Sequence, residues 1–439
     1  MCYNLLIQSI SMSSRTRNDT ITSVIGIGRV GFPLALVLAN EKKSLVYGIG
    51  RDSTKISKIN SGKMPFMEKG AAPLLKKHIG KNFFATTDYS CIKKSDFIIL
   101  TLGTPVDENM NPVYSQINES IINSIPFFKA GQTLILRSTV SPRTTKYVQS
   151  LIEDNTKLKI GKDFFVAFCP ERISEGNSIE EMKSIPQIIG ADDKKSLKKA
   201  DSFFKDMNIS TMLTDSVSAE LSKLFTNMYR YINFAVANEF MVLAHNYHRD
   251  IYEIVNLVNY KYKRGGLTMP GLTAGPCLFK DGFFLISDLP YADLISTSWK
   301  INESMPMFLI RLVRERIKLK NKKAVILGLA FKAEIDDIRE SLSFKVRHAL
   351  LRERAEVVLH DPYVKEYEKQ KIEKDVYEAV KDADILFIAT NHNIYKKLDI
   401  KKIKSLVKKN CIVCDVWNVL GTGKIVYRIN NVNEEIAII

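Results

Sequence analysis

Three glycines near the start of the chain constrain its fold more than any other feature of the sequence. Gly26, Gly28 and Gly31 form the pattern Gly-x-Gly-x-x-Gly, and residues 21–27 before them are apolar and rich in β-branched side chains. The apolar residues that follow have the character of a helix. In a strand-turn-helix setting these glycines permit a tight turn and close approach of the backbone to a pyrophosphate. The pattern therefore predicts a Rossmann-type domain that binds a dinucleotide.

The acidic residue that normally holds the adenosine ribose of NAD is absent from its expected place. The second predicted strand, residues 44–49, is followed by Gly50, Arg51 and Asp52. An acidic side chain at this point bonds the ribose 2′-hydroxyl of NAD, whereas a nearby arginine accommodates the 2′-phosphate of NADP. Three interpretations stay open: Arg51 serves NADP, Asp52 holds the ribose of NAD, or Arg51 faces water. NAD is the expected cofactor and NADP the alternative.

Further along the chain, three apolar runs with the character of buried strands each end in a polar loop. These loops contain Thr104 with Pro105, then Thr139, then Glu171 with Glu175. Successive strands of this kind predict a doubly wound parallel sheet, whose ligands bind at the carboxyl ends of the strands. The two threonines and two glutamates are therefore expected to share one crevice. Taken singly, each is equally well explained as a turn residue or a helix cap.

From residue 216 to about residue 259 the apolar residues recur with the period of a helix. Lys223 and Asn227 are four residues apart and so lie on one face of it. Polar groups on a largely apolar helix are unfavourable unless they face a cavity or solvent. This pair therefore lines a site or belongs to a solvent-facing stripe. A helix of this length is also a natural dimerisation element.

A cysteine stands at the end of a glycine-rich loop, residues 271–281, which reads Gly-Leu-Thr-Ala-Gly-Pro-Cys-Leu-Phe-Lys-Asp. Pro276 is a favourable first helical residue, which would put Cys277 at a helix N-terminus, where a thiolate is stabilised. Asp281, four residues on, would share a helix face with it. The arrangement predicts a nucleophile. The competing interpretation is a buried cysteine that packs as a small hydrophobic residue.

A second pattern of alternating strands and helices begins at residue 322, and its residues 336–341 resemble the capped start of a helix. Its first turn has no Gly-x-Gly-x-x-Gly, so it should bind something other than a dinucleotide. The predicted fold class is α/β, with two Rossmann-like doubly wound sheet domains joined by a long-helix dimerisation domain. The expected boundaries are a loose N-terminal extension at 1–20, a dinucleotide-binding domain at 21–212, a helical central domain at 213–318 and a C-terminal domain at 319–439.

Composition narrows the class of protein. The 439 residues are 45% hydrophobic and 26% charged, which is typical of a soluble protein, and no apolar run reaches the length of a membrane span. Six irregularly spaced cysteines indicate a reducing compartment. Neither Cys411-x-x-Cys414 nor the pair His245 and His248 predicts a metal site, because no further ligand accompanies either pair. The net charge of +16 is compatible with nucleic acid or with an anionic small molecule such as a diphosphate; the scattered lysines weaken the first interpretation, and charge alone does not choose. A cytoplasmic protein without membrane or nucleic-acid partners is expected.

In their order along the chain, these motifs resemble the UDP-glucose/GDP-mannose dehydrogenase family, the nucleotide-sugar 6-dehydrogenases. The resemblance runs from about residue 20 to about residue 417 and includes Gly103-Thr104-Pro105, Ser138-Thr139-Val140, Pro170-Glu171, Lys223-x-x-x-Asn227, Gly275-Pro-Cys277, Ala330-Phe-Lys332 and Arg339-Glu-Ser. It implies an NAD-binding first domain, a central domain that forms a homodimer, and a last domain that holds the nucleotide of a UDP-sugar.

The resemblance also implies a mechanism in which a cysteine captures an aldehyde as a thiohemiacetal, which a second hydride transfer converts to a thioester. The implied catalytic residues are Cys277 as nucleophile, Lys223 and Asn227 as oxyanion and water donors, Asp281 in proton transfer, Glu171 in thioester hydrolysis, and Thr139. The implied cofactor-binding residues are Gly26, Gly28, Arg29, Val30, Gly31, Arg51, Thr104, Pro105, Thr139 and Glu175. The implied substrate-binding residues are Glu171, Lys223, Asn227, Gly275, Lys332, Arg339 and Arg264, the last matching loosely an arginine supplied by the partner subunit.

The motifs differ in the sugar that they favour. The Leu-Phe-Lys-Asp ending at 278–281 resembles family members that act on glucose or mannose nucleotides, whereas residues 227–239 resemble those that act on UDP-N-acetylhexosamines. A UDP-N-acetylhexosamine is favoured slightly over UDP-glucose, with the uronate product feeding polysaccharide biosynthesis. Two alternatives stay open. A two-electron hydroxyacid dehydrogenase of the 6-phosphogluconate type would need neither Cys277 nor a second sheet domain, and an inactive sugar-nucleotide-binding protein is supported only by Gly50.

Overall fold

The structure is a computed structural model that describes residues 20–41, 44–286, 292–368 and 370–432. The predicted N-terminal extension lies outside these residues except for Thr20. The chain divides into two compact units. The first comprises Met1–Asp107 with Pro112–Lys223, and the second comprises Glu108–Asn111 with Leu224–Ile439.

The first unit is built on an eight-stranded sheet. Its strands are β1 Ile21–Ile25, β2 Leu45–Ile49, β3 Phe83–Thr86, β4 Phe97–Leu100, β5 Thr133–Leu136, β6 Phe165–Phe168, β7 Gln187–Gly190 and β8 Thr211–Thr214. They lie in the order β3-β2-β1-β4-β5-β6-β7-β8, and every neighbouring pair is parallel except β6 with β7. The chain reverses its direction of winding between β1 and β4, which is where doubly wound sheets bind their ligands.

Seven helices accompany this sheet among the described residues: α1 Gly31–Glu41, α2 Ser53–Asn60, α3 Ala71–His78, α4 Ser115–Ser124, α5 Thr144–Asn155, α6 Ser178–Ser184 and α7 Lys194–Lys205. α1 is buried on every side from Gly31 to Ala39, because its sequence is apolar all round. β1 is likewise buried at all of its positions. This strand and helix therefore form the rigid centre that carries the glycine-rich turn between them.

The predicted long helix is α8, Ser216–Asn246, which continues for 31 residues without a glycine or proline. It is followed by α9 Ile251–Asn259, α10 Leu278–Asp281, α11 Phe283–Ile286 and α12 Asp293–Arg314. Asp250 is the N-cap of α9, because its side chain accepts a hydrogen bond from the Tyr252 N–H. No helix in the described part of the chain is both long and apolar enough to cross a membrane.

A second sheet lies in the C-terminal part of the second unit, in the order β10-β9-β13-β14-β15. Its strands are β9 Lys323–Leu327, β10 Glu356–His360, β13 Ile385–Ile388, β14 Ile412–Asp415 and β15 Val426–Arg428, and a hairpin of β11 Glu366–Tyr367 and β12 Gln370–Lys371 lies apart. The helices are α13 Ser343–Arg352, α14 Val376–Val380, α15 Asn393–Lys396 and α16 Ile400–Leu406. Apart from the antiparallel pair β14 and β15, the sheet is parallel, so the predicted α/β class with two sheet domains is confirmed.

The central helices and this second sheet share one hydrophobic core. Met241 from α8 and Leu309 from α12 belong to the same buried cluster as Ile326 from β9. Tyr252 also hydrogen-bonds through its hydroxyl to the backbone carbonyl of Val416. The loop between α9 and α10, which carries Cys277, is therefore anchored within a continuous packed body.

Candidate active site

The turn after β1 has a shape that only glycines permit. Gly26 adopts φ +96°, in the left-handed region, and its N–H donates to the carbonyl of Ile49 at 2.8 Å. A Cβ on Gly31 would collide with the carbonyl of Gly26, so glycine is required for α1 to begin this close to β1. Gly28 differs, because the nearest atom to a Cβ there would be 4.0 Å away. This open position at the start of α1 fits the pyrophosphate of a dinucleotide.

Arg29 and Glu175, two predicted cofactor-binding residues, are in contact. Nη1 of Arg29 lies 2.7 Å from Oε1 of Glu175, and the guanidinium lies 4.9 Å from the centre of the Phe66 ring. The loop that carries Glu175 is fixed by Glu68, which is buried and accepts hydrogen bonds from the N–H groups of Gly176 and Ser178. Glu68 was not predicted as a site residue, because nothing in the sequence around it indicates a partner 110 residues away.

Thr104 and Thr139, predicted to share one crevice, also meet. Oγ1 of Thr104 donates to the backbone carbonyl of Thr139 at 2.6 Å, and Pro105 beside it is exposed. The segment after Thr139 is held by Glu220 on α8, whose carboxylate accepts from the Thr145 N–H and hydroxyl at 2.7 and 2.6 Å. Burial raises the pKa of Glu220 above its ordinary value against the effect of these hydrogen bonds.

Glu171 is buried against Arg137, the residue that directly follows β5. Arg137 bonds Oε2 of Glu171, and its other terminal nitrogen donates to Gln187 at 2.8 Å. The N–H groups of Arg172 and Ile173 donate to Oε1 of Glu171. Burial alone would raise the pKa of Glu171, but Arg137 outweighs it and the pKa lies below its usual value.

The charge of Lys223 lowers the pKa of Glu171 as well, so these two predicted catalytic residues lie within electrostatic reach of each other. Lys223 is partly buried on α8, one turn before Asn227. The sequence did contain a signal for Arg137, since it is a charged residue that directly follows a wholly buried strand. A charge in such a place needs a partner, and Glu171 is that partner.

Within the second unit, the candidate nucleophile Cys277 is exposed and Asp281 is completely buried. Asn227 donates from Nδ2 to Oδ2 of Asp281 at 2.6 Å, and Nζ of Lys280 lies 2.8 Å from Oδ1. The exposed thiol argues against the interpretation of Cys277 as a core residue. α10 begins two residues later than predicted: Leu278 is its first residue, Cys277 is the N-cap and Pro276 lies before it.

The loop before Cys277 is tightly held. Gly275 adopts φ +104°, and a Cβ there would lie 2.5 Å from Cδ2 of Phe331. Its N–H donates to the carbonyl of Glu340. Four residues earlier, Gly271 exchanges two hydrogen bonds with the side chain of Asn238, at 3.0 and 3.1 Å. The loop is therefore fixed by α8 on one side and by the C-terminal sheet domain on the other.

The remaining predicted substrate-binding residues lie on loops of the second unit. Lys332 is partly buried after β9, and Arg264 is exposed with its guanidinium 5.3 Å from the Tyr262 ring. Arg339 is 58% exposed at its side chain, and its Nε donates to both carboxylate oxygens of Asp337. Residues 336–341 thus form a loop instead of the helix start expected from the sequence, and α13 begins at Ser343.

Family models describe nearly the whole chain. Residues 20–208 match the NAD binding domain of the UDP-glucose/GDP-mannose dehydrogenase family, residues 217–304 match its central domain, and residues 325–422 match its UDP binding domain. The NAD binding domain supports the use of NAD(H), and the UDP binding domain supports a UDP-sugar as substrate.

Individual relatives and solved structures agree with these matches. The chain is 31% identical over 410 residues to a UDP-N-acetyl-D-mannosamine dehydrogenase of Methanococcus aeolicus, covering 91% of each protein. It superimposes on a UDP-D-ManNAc dehydrogenase from Pyrococcus horikoshii with a TM-score of 0.83 at 31% identity, over 89% of this chain and 93% of that one. A UDP-N-acetyl-mannosamine dehydrogenase from Staphylococcus aureus gives a TM-score of 0.82 at 28% identity, over 91% and 95%.

These matches confirm the resemblance drawn from the motifs, the fold class and the enzyme class, an NAD-dependent dehydrogenase that acts on a CH–OH group. The chain belongs to the UDP-glucose/GDP-mannose dehydrogenase family.

Proposed function

We propose that the protein is a nucleotide-sugar 6-dehydrogenase that oxidises the C6 hydroxyl of a UDP-N-acetylhexosamine to a carboxylate. UDP-N-acetyl-D-mannosamine is the first candidate, because the relatives at 31% and 32% identity carry that substrate in their names. The observation that carries the proposal is the exposed Cys277 one helical turn before the buried Asp281–Asn227 pair. A two-electron dehydrogenase has no use for such a thiol. The uronate product would feed polysaccharide biosynthesis.

The proposed reaction removes four electrons in two oxidations. In the first, C6 loses a hydride and the hydroxyl loses a proton, which gives an aldehyde. The sulfur of Cys277 then bonds to C6 and the aldehyde oxygen takes a proton, which gives a thiohemiacetal. Loss of a second hydride and of the hydroxyl proton gives a thioester. Water then adds to C6, the C–S bond breaks, and carboxylate and thiol leave. When bound, the coenzyme supplies the hydride acceptor for both oxidations.

The surroundings of the protein groups support the roles proposed for them. Asp281, whose two oxygens accept from Asn227 and Lys280, is the proposed proton acceptor for the sugar hydroxyl. Lys223 is the proposed donor to the oxyanion that forms when sulfur or water adds to C6. Glu171 has a lowered pKa and is therefore ionised at neutral pH, as a base that activates water must be. Thr139 and Glu175 are proposed to lie beside the nicotinamide.

We also propose a homodimer, formed through α8. Five large apolar side chains of this helix are exposed, by between 39% and 74%: Phe225, Tyr229, Phe240, Leu243 and Tyr247. The spacings of four, three and four residues within this set are those of one helix face. A contiguous apolar face of this kind marks a protein-protein interface. In such a dimer Arg264 is the candidate for an arginine supplied to the partner subunit's substrate.

Product stoichiometry tests the proposed function. Purified protein incubated with UDP-N-acetyl-D-mannosamine and excess coenzyme should give two equivalents of reduced coenzyme per uronate, with UDP-glucose and GDP-mannose as comparison substrates. Cys277→Ser should stop uronate formation, because the aldehyde is not captured as a thioester. Cys91→Ser, at a partly buried thiol in the first unit, is the matched control and should remain active. One equivalent per sugar, or full uronate formation by Cys277→Ser, would falsify the proposal.

A further inference from the structure

The turn after β2, where a dinucleotide-binding domain holds the adenosine ribose, lacks a carboxylate at its first position. β2 ends at Ile49, and Gly50 follows with its N–H donating to the carbonyl of Thr86 at 2.9 Å. A Cβ on Gly50 would lie 3.1 Å from Ile27 and 3.2 Å from Ile56, so the turn is packed closely around the glycine. An acidic side chain in this place bonds the 2′-hydroxyl of NAD and repels a 2′-phosphate. Gly50 has no carboxylate, so it neither bonds the 2′-hydroxyl nor repels a 2′-phosphate.

The side chain next to this glycine is a cation that can change partners easily. Arg51 follows Gly50, and its Nη1 lies 3.5 Å from Oε2 of Glu119. The two side chains are 63% and 59% exposed. An ion pair exposed to this degree contributes little to stability, because water screens it. Arg51 can therefore leave Glu119 for a phosphate at small energetic cost.

Two more cations lie close by and add positive potential to the same turn. Nζ of Lys55, in the first turn of α2, is 5.2 Å from the centre of the Phe66 ring, and Cζ of Arg29 is 4.9 Å from it. One aromatic ring thus links the glycine-rich turn after β1 to the helix after β2. Arg29 contacts Glu175 as well, whereas Arg51 lies in the turn after β2 and Lys55 in the first turn of α2.

Asp52 is the acidic residue that competes with this assignment, since it also lies in the turn. Its Oδ1 accepts a hydrogen bond from the N–H of Lys55 at 3.0 Å, and its backbone is extended, as in an N-cap. This N-cap hydrogen bond is a structural reason for an acidic residue at this position, and the reason does not depend on coenzyme binding. Asp52 is therefore engaged with the first turn of α2, and its role as a ribose ligand becomes one outcome of the experiment below.

We propose that this turn receives a ribose 2′-phosphate, with Arg51 as its main ligand, so that the protein binds NADP+ more tightly than NAD+. The inference rests on the coenzyme site of the proposed function and adds a specificity that the family's NAD binding domain does not imply. A guanidinium presents paired N–H groups in the geometry of phosphate oxygens, and such charge-assisted bonds are stronger than neutral ones. Lys55 contributes as a nearby positive charge.

Calorimetric titration of the full chain, without sugar nucleotide, measures the preference directly. The ligand pair 2′,5′-ADP and 5′-AMP differs only by the 2′-phosphate, and NADP+ and NAD+ differ in the same way. We expect the phosphorylated member of each pair to bind at least about tenfold more tightly, as for hydrogen bonds to a charged group. Arg51→Met should bring both ratios close to one by weakening the binding of NADP+ and of 2′,5′-ADP. Arg51→Lys should keep part of the preference.

Two sets of control variants separate charge from shape. Lys58→Met removes an exposed positive charge from the far end of α2 and should leave the ratios unchanged. Gly50→Asp should reverse the preference, whereas Gly50→Ala adds the same Cβ without the carboxylate and should not. Equal affinities in the wild type, or an unchanged ratio in Arg51→Met, overturn the inference.

Other outcomes distinguish a failure of this inference from a failure of the proposed function. A loss of NAD+ affinity in Asp52→Asn, with no NADP+ preference in the wild type, would make Asp52 the ribose ligand and overturn the inference alone. If neither dinucleotide binds, the coenzyme site of the proposed function fails together with it. If NADP+ is preferred but no sugar nucleotide is oxidised, the proposed function fails and the 2′-phosphate site stands.

Discussion

Asn227 donates a hydrogen bond of 2.6 Å from Nδ2 to Oδ2 of Asp281, and this bond ties the long helix α8 to the turn that carries Cys277. Both side chains are buried, and Lys280 occupies the other carboxylate oxygen at 2.8 Å. A buried carboxylate held by donors on both sides has a fixed orientation, because turning it would leave polar groups without partners. The bond therefore serves the fold and the proposed chemistry together.

Asp281→Asn tests this relationship. The amide has nearly the same shape, but its NH2 group must face either Asn227 or Lys280, so one of these two donors loses its acceptor. We expect the free energy of unfolding to fall by about 1–3 kcal/mol in denaturant titrations, and uronate formation to be lost. Asn233→Ala removes a half-buried asparagine from the same helix, whose Nδ2 donates to the backbone carbonyl of Tyr229 one turn earlier, and should change stability less. An Asp281→Asn protein as stable and active as the wild type would show that the bond has neither role.

Gly275→Ala tests the conformation of the cysteine loop. Gly275 adopts φ +104°, and an added Cβ would lie 2.5 Å from the Phe331 ring, so both backbone strain and overlap oppose the change. We expect a loss of about 1–3 kcal/mol from the strain alone, with a further loss from the overlap. Gly62→Ala is a matched control, since Gly62 has φ +74° but no atom within 4 Å of a Cβ. If both variants unfold at the same denaturant concentration, the contact with Phe331 is unimportant.

Arg137→Met should change how activity and stability depend on pH. In the wild type the pKa of Glu171 is lowered, so this carboxylate stabilises the fold above its unfolded pKa, and the contribution is lost as the pH falls through the folded pKa. Without Arg137, burial is opposed only by weaker contacts and the pKa of Glu171 rises. Removing one partner of a buried ion pair costs about 3–5 kcal/mol at neutral pH, and the variant should regain part of this as the pH falls.

If ionised Glu171 activates water, the acidic limb of the pH-rate profile should move to higher pH in Arg137→Met. Arg137→Lys keeps the charge and should move the limb less. Denaturant titrations between about pH 5 and pH 8, where folded proteins are commonly most stable, provide the stability curve for the same proteins. Identical pH profiles in all three proteins would show that Arg137 does not control the charge of Glu171.

Elements defined by local sequence were predicted well. The β1-turn-α1 unit follows from glycines and apolar residues that are contiguous in the chain, and α8 follows from a long helical period without Gly or Pro. The family resemblance had the same basis, because each of its motifs is a short segment. Short stretches of sequence predict structure best where the interactions that determine that structure join residues close together in the chain.

The residues that hold the site loops could not be predicted, because their partners are far away in sequence. Arg137 bonds a carboxylate 34 residues on, Glu220 accepts from a threonine 75 residues earlier, and Glu68 from a serine 110 residues later. The error at residues 336–341 has a different cause. Asp337 there bonds the backbone and side chain of Arg339, which stabilises a loop with the same residues that cap helices elsewhere.

The exposed apolar face of α8 provides a last prediction, on the oligomeric state. Tyr229→Glu combined with Leu243→Glu places two charges on a face whose residues are 72% and 51% exposed in the single chain. A dimer that buries this face would have to desolvate both charges, so light scattering should show the mass fall from twice 49.8 kDa to 49.8 kDa. Tyr147→Glu, on α5 with 46% exposure, is the control and should remain dimeric. A wild-type protein that is already monomeric at micromolar concentration would contradict the proposed dimer, and the apolar face would then need another partner.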